Sequence, residues 1–361
     1  MLDVRKLSLN KSRRMIITSD VHGNLHLLKK LLTKVGFSEE DYLFINGDLC
    51  EKGPNSLEVV DYVRNMEKET SNVFITKGNC DVVHRYVMSG NEGILPYIRE
   101  RKHSVLNEMM TLHNKSIDDF HNISELADFY RANFNDMLTW LEELPEAYEL
   151  EDCIIIHAGV VHDKDWHHTD SDTALYAKAF HEQEHQADKN VIVGHWPVVN
   201  YRSYQVSSHN PLIDFEKRII SIDGGNQIKK DGQLNALIIE DGEYTYTYVD
   251  NLEQVVQIKK DYLDTYNRIG TVTYPNYKMN IVETGEYFTK CDNINLRITQ
   301  WIKNEYVIEK DGQTFCKNDL STTFLTVKTG ETVKLIDNQC EGYILVKNTS
   351  GEVGWIPREC V

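Results

Sequence analysis

Five short pieces of this 361-residue chain each follow an apolar run of strand length. Asp20-Val21-His22-Gly23-Asn24 follows the run at 15–18, and Gly47-Asp48-Leu49-Cys50-Glu51-Lys52-Gly53 the run at 42–45. Gly78-Asn79-Cys80-Asp81 follows 73–76, His157-Ala158-Gly159 follows 153–156, and Gly194-His195-Trp196-Pro197 follows 191–193. Each piece sets an Asp, His or Asn beside a glycine, the residue that lets a backbone turn sharply where a strand ends. Helical patterns lie between the first runs, at 25–35 and 56–66. Strand-length apolar runs alternating with amphipathic helices predict an α/β fold, a sheet covered by helices. In such sheets ligands gather beyond the carboxyl ends of the strands, where these five pieces sit.

Their residue types are those that hold a pair of divalent ions. Asp20 and His22 are two apart where the strand breaks at Gly23, so both side chains can face one site. Asp48, at the end of the next strand, is the natural bridge. Asn79 offers a neutral carbonyl oxygen, and His157 and His195 supply imidazoles from later strands. The predicted set is Asp20, His22 and Asp48 on one ion and Asp48, Asn79, His157 and His195 on the other. This mixture of oxygen and nitrogen suits two divalent ions, with manganese placed first and iron, zinc, nickel or cobalt as alternatives.

The rest of the chain narrows the class. A formal net charge of -17 argues against binding a nucleic-acid polymer over a broad surface. No apolar run approaches the length of a membrane span. The 7 cysteines are widely spaced and form no CxxC pair, which fits reduced thiols and a cytoplasmic location. From 93 to 150 the pattern turns helical and reads as an insertion that either walls a cleft or packs on the sheet. A first domain over 1–250 is expected to give way to a linker or unassigned β region over 251–312, with a linking helix inside 248–266. The end, 313–361, reads as a meander of small strands closed by Gly354-Trp355-Ile356-Pro357 and looks like an SH3-like barrel. Tyr343, Trp355 and Pro357 could supply part of a peptide groove, or the barrel could dock on the chain itself. One decoy is His181-Glu182-Gln183-Glu184-His185, which fits the HExxH pattern of zinc proteases but has polar middle positions and polar flanks.

Taken in order, the five pieces resemble the motifs of the calcineurin-like metallophosphoesterases, nearest the branch that holds the phosphoprotein phosphatases and the symmetrical diadenosine tetraphosphate hydrolases. The resemblance covers roughly residues 14–248. Gly53-Pro54-Asn55-Ser56-Leu57 and Gly194-His195-Trp196 are similar to the dinucleotide hydrolases, and Ile222-Asp223-Gly224-Gly225 resembles the strand that follows in both groups. It implies a metallophosphoesterase-type β-sandwich flanked by helices. It also implies hydrolysis of phosphoric esters or anhydrides by a hydroxide shared between two ions about 3.5–4 Å apart, attacking phosphorus in line. The substrate would be a phosphorylated small molecule, a nucleotide or a phosphoprotein. Two positions depart from the family. Lys52 stands where an Arg grips phosphate, keeping the charge but not the bidentate fork. Cys80 stands where a His is thought to protonate the leaving group, and a thiol is a poor substitute. His84, Glu51 or Asp81 are the candidates to assist, or the leaving group needs no proton. The alternative is a weakened phosphoesterase scaffold that serves as a binding or regulatory protein.

Overall fold

The computed structural model describes residues 2–361, which fall into two compact units. Among these residues the first comprises 2–196 and 211–250, and the second 197–210 and 251–361. The chain therefore leaves the first unit at Pro197, the last residue of the fifth motif, and returns at Pro211. A single cut near residue 250 does not follow this division.

In the first unit the strands are β1 (Val4–Lys6), β2 (Met15–Thr18), β3 (Tyr42–Asn46), β4 (Val73–Thr76), β5 (Ala147–Glu149), β6 (Cys153–Ile156), β7 (Asn190–Val193), β8 (Leu212–Asp214), β9 (Ile219–Ser221), β10 (Gln233–Glu240) and β11 (Glu243–Asp250). They form a six-stranded sheet in the order β1-β5-β6-β7-β9-β8 and a five-stranded sheet in the order β11-β10-β2-β3-β4. Alternation along each strand sorts the side chains between two faces. Ile17, Phe44 and Leu237 of one sheet meet Tyr148, Ile155, Ile192 and Ile220 of the other in a shared apolar layer, which makes a β-sandwich. Their sequence neighbours Ile16, Leu43, Ile45 and Ala236 face outward into helices.

Those helices are α1 (Leu25–Val35), α2 (Ser56–Glu69), α3 (His84–Met88), α4 (Leu95–Glu100), α5 (Val105–Leu112) and α6 (Ile123–Glu143). The 93–150 insertion packs on the sheet: Leu106, Met109, Leu126, Tyr130 and Leu141 belong to the same core as Ile16 and Leu43. Its apolar stripe at 123–141 is one long helix, α6, started by the Asn122 side chain accepting from the Glu125 N–H. On the other sheet's outer face Trp166 and Phe180 cover Ile154, Val191 and Ile219, next to α7 (Ser171–Tyr176).

The second unit is all β, and the linking helix expected inside 248–266 is absent. That stretch is the end of β11 and a short strand, β12 (Val255–Gln257). Its polar Asp250-Asn251, Glu253-Gln254 and Lys259-Lys260-Asp261 leave no continuous apolar stripe for a helix to bury. Then come β13 (Thr271–Val272), β14 (Lys278–Thr284), β15 (Phe288–Asn293), β16 (Ile298–Lys303), β17 (Val307–Lys310), β18 (Gln313–Cys316), β19 (Leu320–Ser321), β20 (Thr332–Asp337), β21 (Tyr343–Lys347) and β22 (Val353–Pro357). The stretch left unassigned by sequence is an antiparallel sheet, β16-β15-β14-β18-β17, beside the sheet β12-β20-β21-β22. Phe288, Ile302 and Cys316 share one core with Phe324, Leu345 and Trp355, so the two sheets are one body. The excursion 197–210 belongs to it: the Val353 N–H donates to the Ser207 carbonyl at 2.8 Å, and the Asn210 amide donates to the Ser350 carbonyl at 2.7 Å.

Candidate metal centre

The three strands β2, β3 and β4 run parallel in one sheet, and β6, β7 and β9 run parallel in the other. Each of the six ends in a motif residue: Asp20, Asp48, Asn79, His157, His195 and Asp223 come within three residues of the carboxyl ends of these strands. Backbone conformation marks the same places. Asp20, His22, Asp48 and His195 all have φ between +49° and +64°, and Glu51 and Lys52 follow at +68° and +69°. Non-glycine residues rarely adopt that region, and at functional sites such strain is held by the surrounding structure.

Asp48 sits between two imidazoles. Its Oδ2 lies 3.8 Å from His22 Nε2, and its Oδ1 lies 3.4 Å from His157 Nε2. Both rings have their tautomer set from behind. His22 Nδ1–H donates to the Cys50 carbonyl at 3.1 Å, and His157 Nδ1–H donates to the Asn46 carbonyl at 3.0 Å. That leaves each Nε2 with a lone pair directed at the carboxylate side, the arrangement found behind metal-bound histidines. On one flank Asp20 Oδ1 is 3.8 Å from His22 Nε2. On the other, Asn79 Oδ1 lies 3.1 Å from His157 Nε2 and 2.8 Å from His195 Nδ1. His195 is tied back to the first flank, because its N–H donates to Asp20 Oδ2 at 3.0 Å.

The structure thus brings all six predicted ligands together. It also tests whether they suit ions. His22 Nε2 is fully buried without a hydrogen-bond partner, and an orphaned buried polar atom costs about 1–3 kcal/mol unless something binds it. Asp48, His157 and His195 offer three ligand atoms within 4.8 Å of one another. The residues fit a pair of divalent ions.

Several residues support these ligands, and one of them, Asn226, was not singled out by sequence. Asp81 Oδ1 and Oδ2 accept from the N–H groups of Asp48, Leu49, Cys50 and Gly78, so this carboxylate shapes the loop that carries Asp48. Asn226 donates to the Val21 carbonyl at 2.8 Å and so holds the first motif. The glycines let ligand-bearing backbones touch. A Cβ on Gly78 would lie 2.1 Å from the Asp48 nitrogen, and one on Gly194 would lie 2.3 Å from Asp20 Oδ2. Asp223, at the end of β9, is buried beside the pair. One of its oxygens accepts from Gly225 at 2.7 Å, and Oδ2 has no partner. Its signal in the sequence was the same as for the others, an Asp just past a strand and before Gly-Gly.

Charge accumulates here. Burial, with Asp223 and Asp48 nearby, pushes the Asp20 carboxyl well above its ordinary value. Burial pushes Asp81 and Asp223 up to about 7. Burial pulls His22 down, and burial with the neighbouring His157 pulls His195 down to about 3. The sign for stability follows. A carboxyl raised in the folded state stabilises below its unfolded value and loses that contribution as pH rises through the folded value. The two histidines, depressed on folding, act oppositely, but only below their unfolded value of 6.5. Above about pH 6.5 the carboxyls act alone. Protein stripped of metal is therefore expected to lose thermal stability between about pH 6.5 and 8. Saturating Mn²⁺ is expected to abolish that slope, because ions replace the lost protons. Thermal melts in chelator and in Mn²⁺ across that range check it, and equal slopes would contradict it.

The other predicted residues separate. Cys80 joins the cluster, its sulfur lying within 4.8 Å of ligand atoms of His22 and Asp48, while its N–H donates to Asp48 Oδ1 at 2.8 Å. Burial and the Asp48 charge push this thiol well above its ordinary value. Lys52 places its charge close enough to weaken protonation of His22. His84 is turned elsewhere, with Nε2 2.9 Å from Glu142 Oε1, which also binds Arg85. Glu51 faces the insertion: it accepts from the Tyr97 hydroxyl, from the Ser104 hydroxyl at 2.9 Å and from the Val105 N–H at 2.8 Å. These bonds fasten α4 and the start of α5 to the second motif. Glu51→Gln is expected to cost roughly 1–3 kcal/mol of stability and to leave the metal content unchanged. A large loss of turnover at unchanged melting temperature would make Glu51 catalytic instead. The HExxH decoy forms no α-helix: Phe180–Glu182 is a single 3₁₀ turn, and His181 and His185 point to Ser221 and the Arg218 carbonyl.

The comparisons with known proteins agree with this geometry. The profile of the calcineurin-like phosphoesterase family matches residues 13–238, and that of the variant SH3 domain matches 311–361. A symmetrical bis(5'-nucleosyl)-tetraphosphatase of Pectobacterium atrosepticum is 29% identical over 147 residues, 40% of this chain and 42% of that protein. The asymmetrical bis(5'-nucleosyl)-tetraphosphatase PrpE of Bacillus subtilis is 25% identical over 224 residues, 58% of this chain and 84% of that one. The chain thus spans less than half the length of the first relative and most of the second. Among solved structures, a cold-active protein-tyrosine phosphatase of a Shewanella species aligns at a TM-score of 0.46 and 17% identity, covering 69% of this chain and 83% of that one. No described helix is long and apolar enough to cross a membrane. With its family motifs converging on Asp48 from two sheets, the chain belongs to the calcineurin-like phosphoesterases.

Proposed function

We propose that this chain is a two-metal hydrolase of phosphoric anhydrides and activated esters, with dinucleoside polyphosphates as the favoured substrate class. The observation that supports it most is Asp48, whose two oxygens face His22 on one side and His157 on the other. Asp20, His22 and Asp48 would hold one divalent ion, and Asp48, Asn79, His157 and His195 the other. When bound, the ions supply Lewis acidity that activates a water and neutralises charge on the phosphoryl group. The chain's own residues do the rest. Asp81 and the carbonyls of Asn46 and Cys50 orient the ligands, and Lys52 adds a point charge for phosphate.

The substrate class follows from what the site lacks. Cys80 places a sulfur rather than an imidazole where the family has its acid, and His84 is engaged by Glu142. A nucleotide or an aryloxide leaves without protonation, whereas an alkoxide does not. Tyr86 and Tyr176 are partly exposed and hydrogen-bonded to each other, and Tyr176 lies within electrostatic reach of Cys80. They offer rings on which a base can stack. A Mn²⁺-dependent assay on diadenosine tetraphosphate, p-nitrophenyl phosphate and a phosphoserine peptide tests the proposal. The first two are expected to turn over and the third only weakly. Tyr176→Ala is expected to raise KM for the dinucleotide alone. No turnover of any of the three with two ions bound would favour the alternative, a scaffold that binds without hydrolysing. The second unit, with its SH3-like strands, remains the candidate surface for a peptide.

A further inference from the structure

We infer that Cys80 is a metal ligand: its sulfur completes the position formed by His22 and Asp48 and makes that position prefer thiophilic ions such as zinc, cobalt or cadmium over manganese. The inference rests on the two-metal reading and goes beyond it, because it assigns a sulfur donor that the oxygen-nitrogen set lacks.

Three observations converge on it. Ligand atoms of His22, Asp48 and Cys80 lie within 4.8 Å of one another, and all three residues are buried. Bonds of about 2.3 Å to sulfur and about 2.0–2.2 Å to nitrogen or oxygen would reach across such a group from one ion. His22 Nε2 is 1% exposed by residue, has no hydrogen-bond partner, and belongs to the same group of atoms as the sulfur. The Cys80 side chain is also held in place. Its N–H donates to Asp48 Oδ1 at 2.8 Å, and the Asn79 amide lies 3.5 Å from the sulfur. Among the described residues Cys80 is the cysteine that such a group includes, although Cys50 is also buried in the second motif. Soft thiolate ligands select zinc, copper(I) and similar ions, whereas carboxylate and carbonyl oxygens suit magnesium and manganese. On binding, the S–H bond breaks, the sulfur keeps its electron pair for the ion, and the proton passes to solvent.

The test is cobalt substitution of the full chain, read by absorption spectroscopy, with elemental analysis alongside. Wild-type protein loaded with Co²⁺ is expected to show a sulfur-to-cobalt charge-transfer absorption in the near ultraviolet, which Cys80→Ser and Cys80→Ala both lose. In competition, each variant is expected to lower the preference for Zn²⁺ over Mn²⁺ by roughly tenfold or more. Because Cys80 is the cysteine within reach, the wild-type spectrum decides even if a variant fails to fold. Cobalt bound with no such absorption would overturn the inference while leaving the two-metal reading intact. Wild-type protein that binds no ion would overturn both.

Discussion

Asp48→Asn is expected to empty both ion positions and to cut Mn²⁺-dependent hydrolysis of p-nitrophenyl phosphate by more than about 10³-fold, beyond the ~10²–10³ of losing one preorganised contact. Asn keeps the size of the side chain and its acceptance from the Cys80 N–H, so the fold should survive. What it loses is the negative charge between His22 and His157. Among the described residues no other is placed to take that role, because Asp20 lies on one flank and Asn79 on the other. Steady-state kinetics with a circular-dichroism control checks it. Activity within tenfold of wild type, in folded protein, would show that Asp48 is not the bridge.

Cys80→His is expected to narrow the gap between good and poor leaving groups. In the wild type, rates should fall steeply from aryl phosphates and anhydrides to alkyl monoesters, since an alkoxide must depart unprotonated. A positioned acid is typically worth ~10²–10⁴ in rate, so the variant's gain should lie on alkyl substrates and approach that range at saturating Mn²⁺. His84→Ala is the control. His84 is paired with Glu142, and although burial pushes that carboxyl up, the bonds and charges of His84 and Arg85 outweigh it and leave it far below its ordinary range. The alanine variant should therefore change both substrate types alike. A selective loss on alkyl esters would make His84 the acid, and equal wild-type rates on both types would remove the premise.

The positions of the six candidate ligands were legible because each follows a short apolar strand and precedes a turn, so local sequence alone placed it at a carboxyl end. The strands β2, β3, β4, β6 and β7 were legible for the same reason, whereas their division between two packed sheets was implied only by the family resemblance. What local sequence could not show is long-range. The edge strand β1 is three residues of which two are exposed, with no apolar periodicity to announce it. The 251–319 region builds its sheet from strands with mixed polarity, and its core forms only when Phe288 meets Phe324 and Trp355. The excursion 197–210 fell inside the expected 1–250 domain, because nothing in its sequence reveals that Ser207 pairs with a strand about 146 residues later. Glu51 and Asp81 looked catalytic by position. The structure shows their oxygens taken by Tyr97, Ser104 and Val105 and by four backbone N–H groups, partners that only folding supplies.

The central claim is that two ions share Asp48, and metal stoichiometry tests it most directly. Protein reconstituted with Mn²⁺ and freed of excess should carry about two ions per chain by elemental analysis, as a two-metal site requires. Asn79→Ala and His195→Ala should each weaken the second ion more than the first, because both side chains sit beside His157 and away from His22. A saturating content of one ion or fewer in folded protein with every ligand intact would contradict the account.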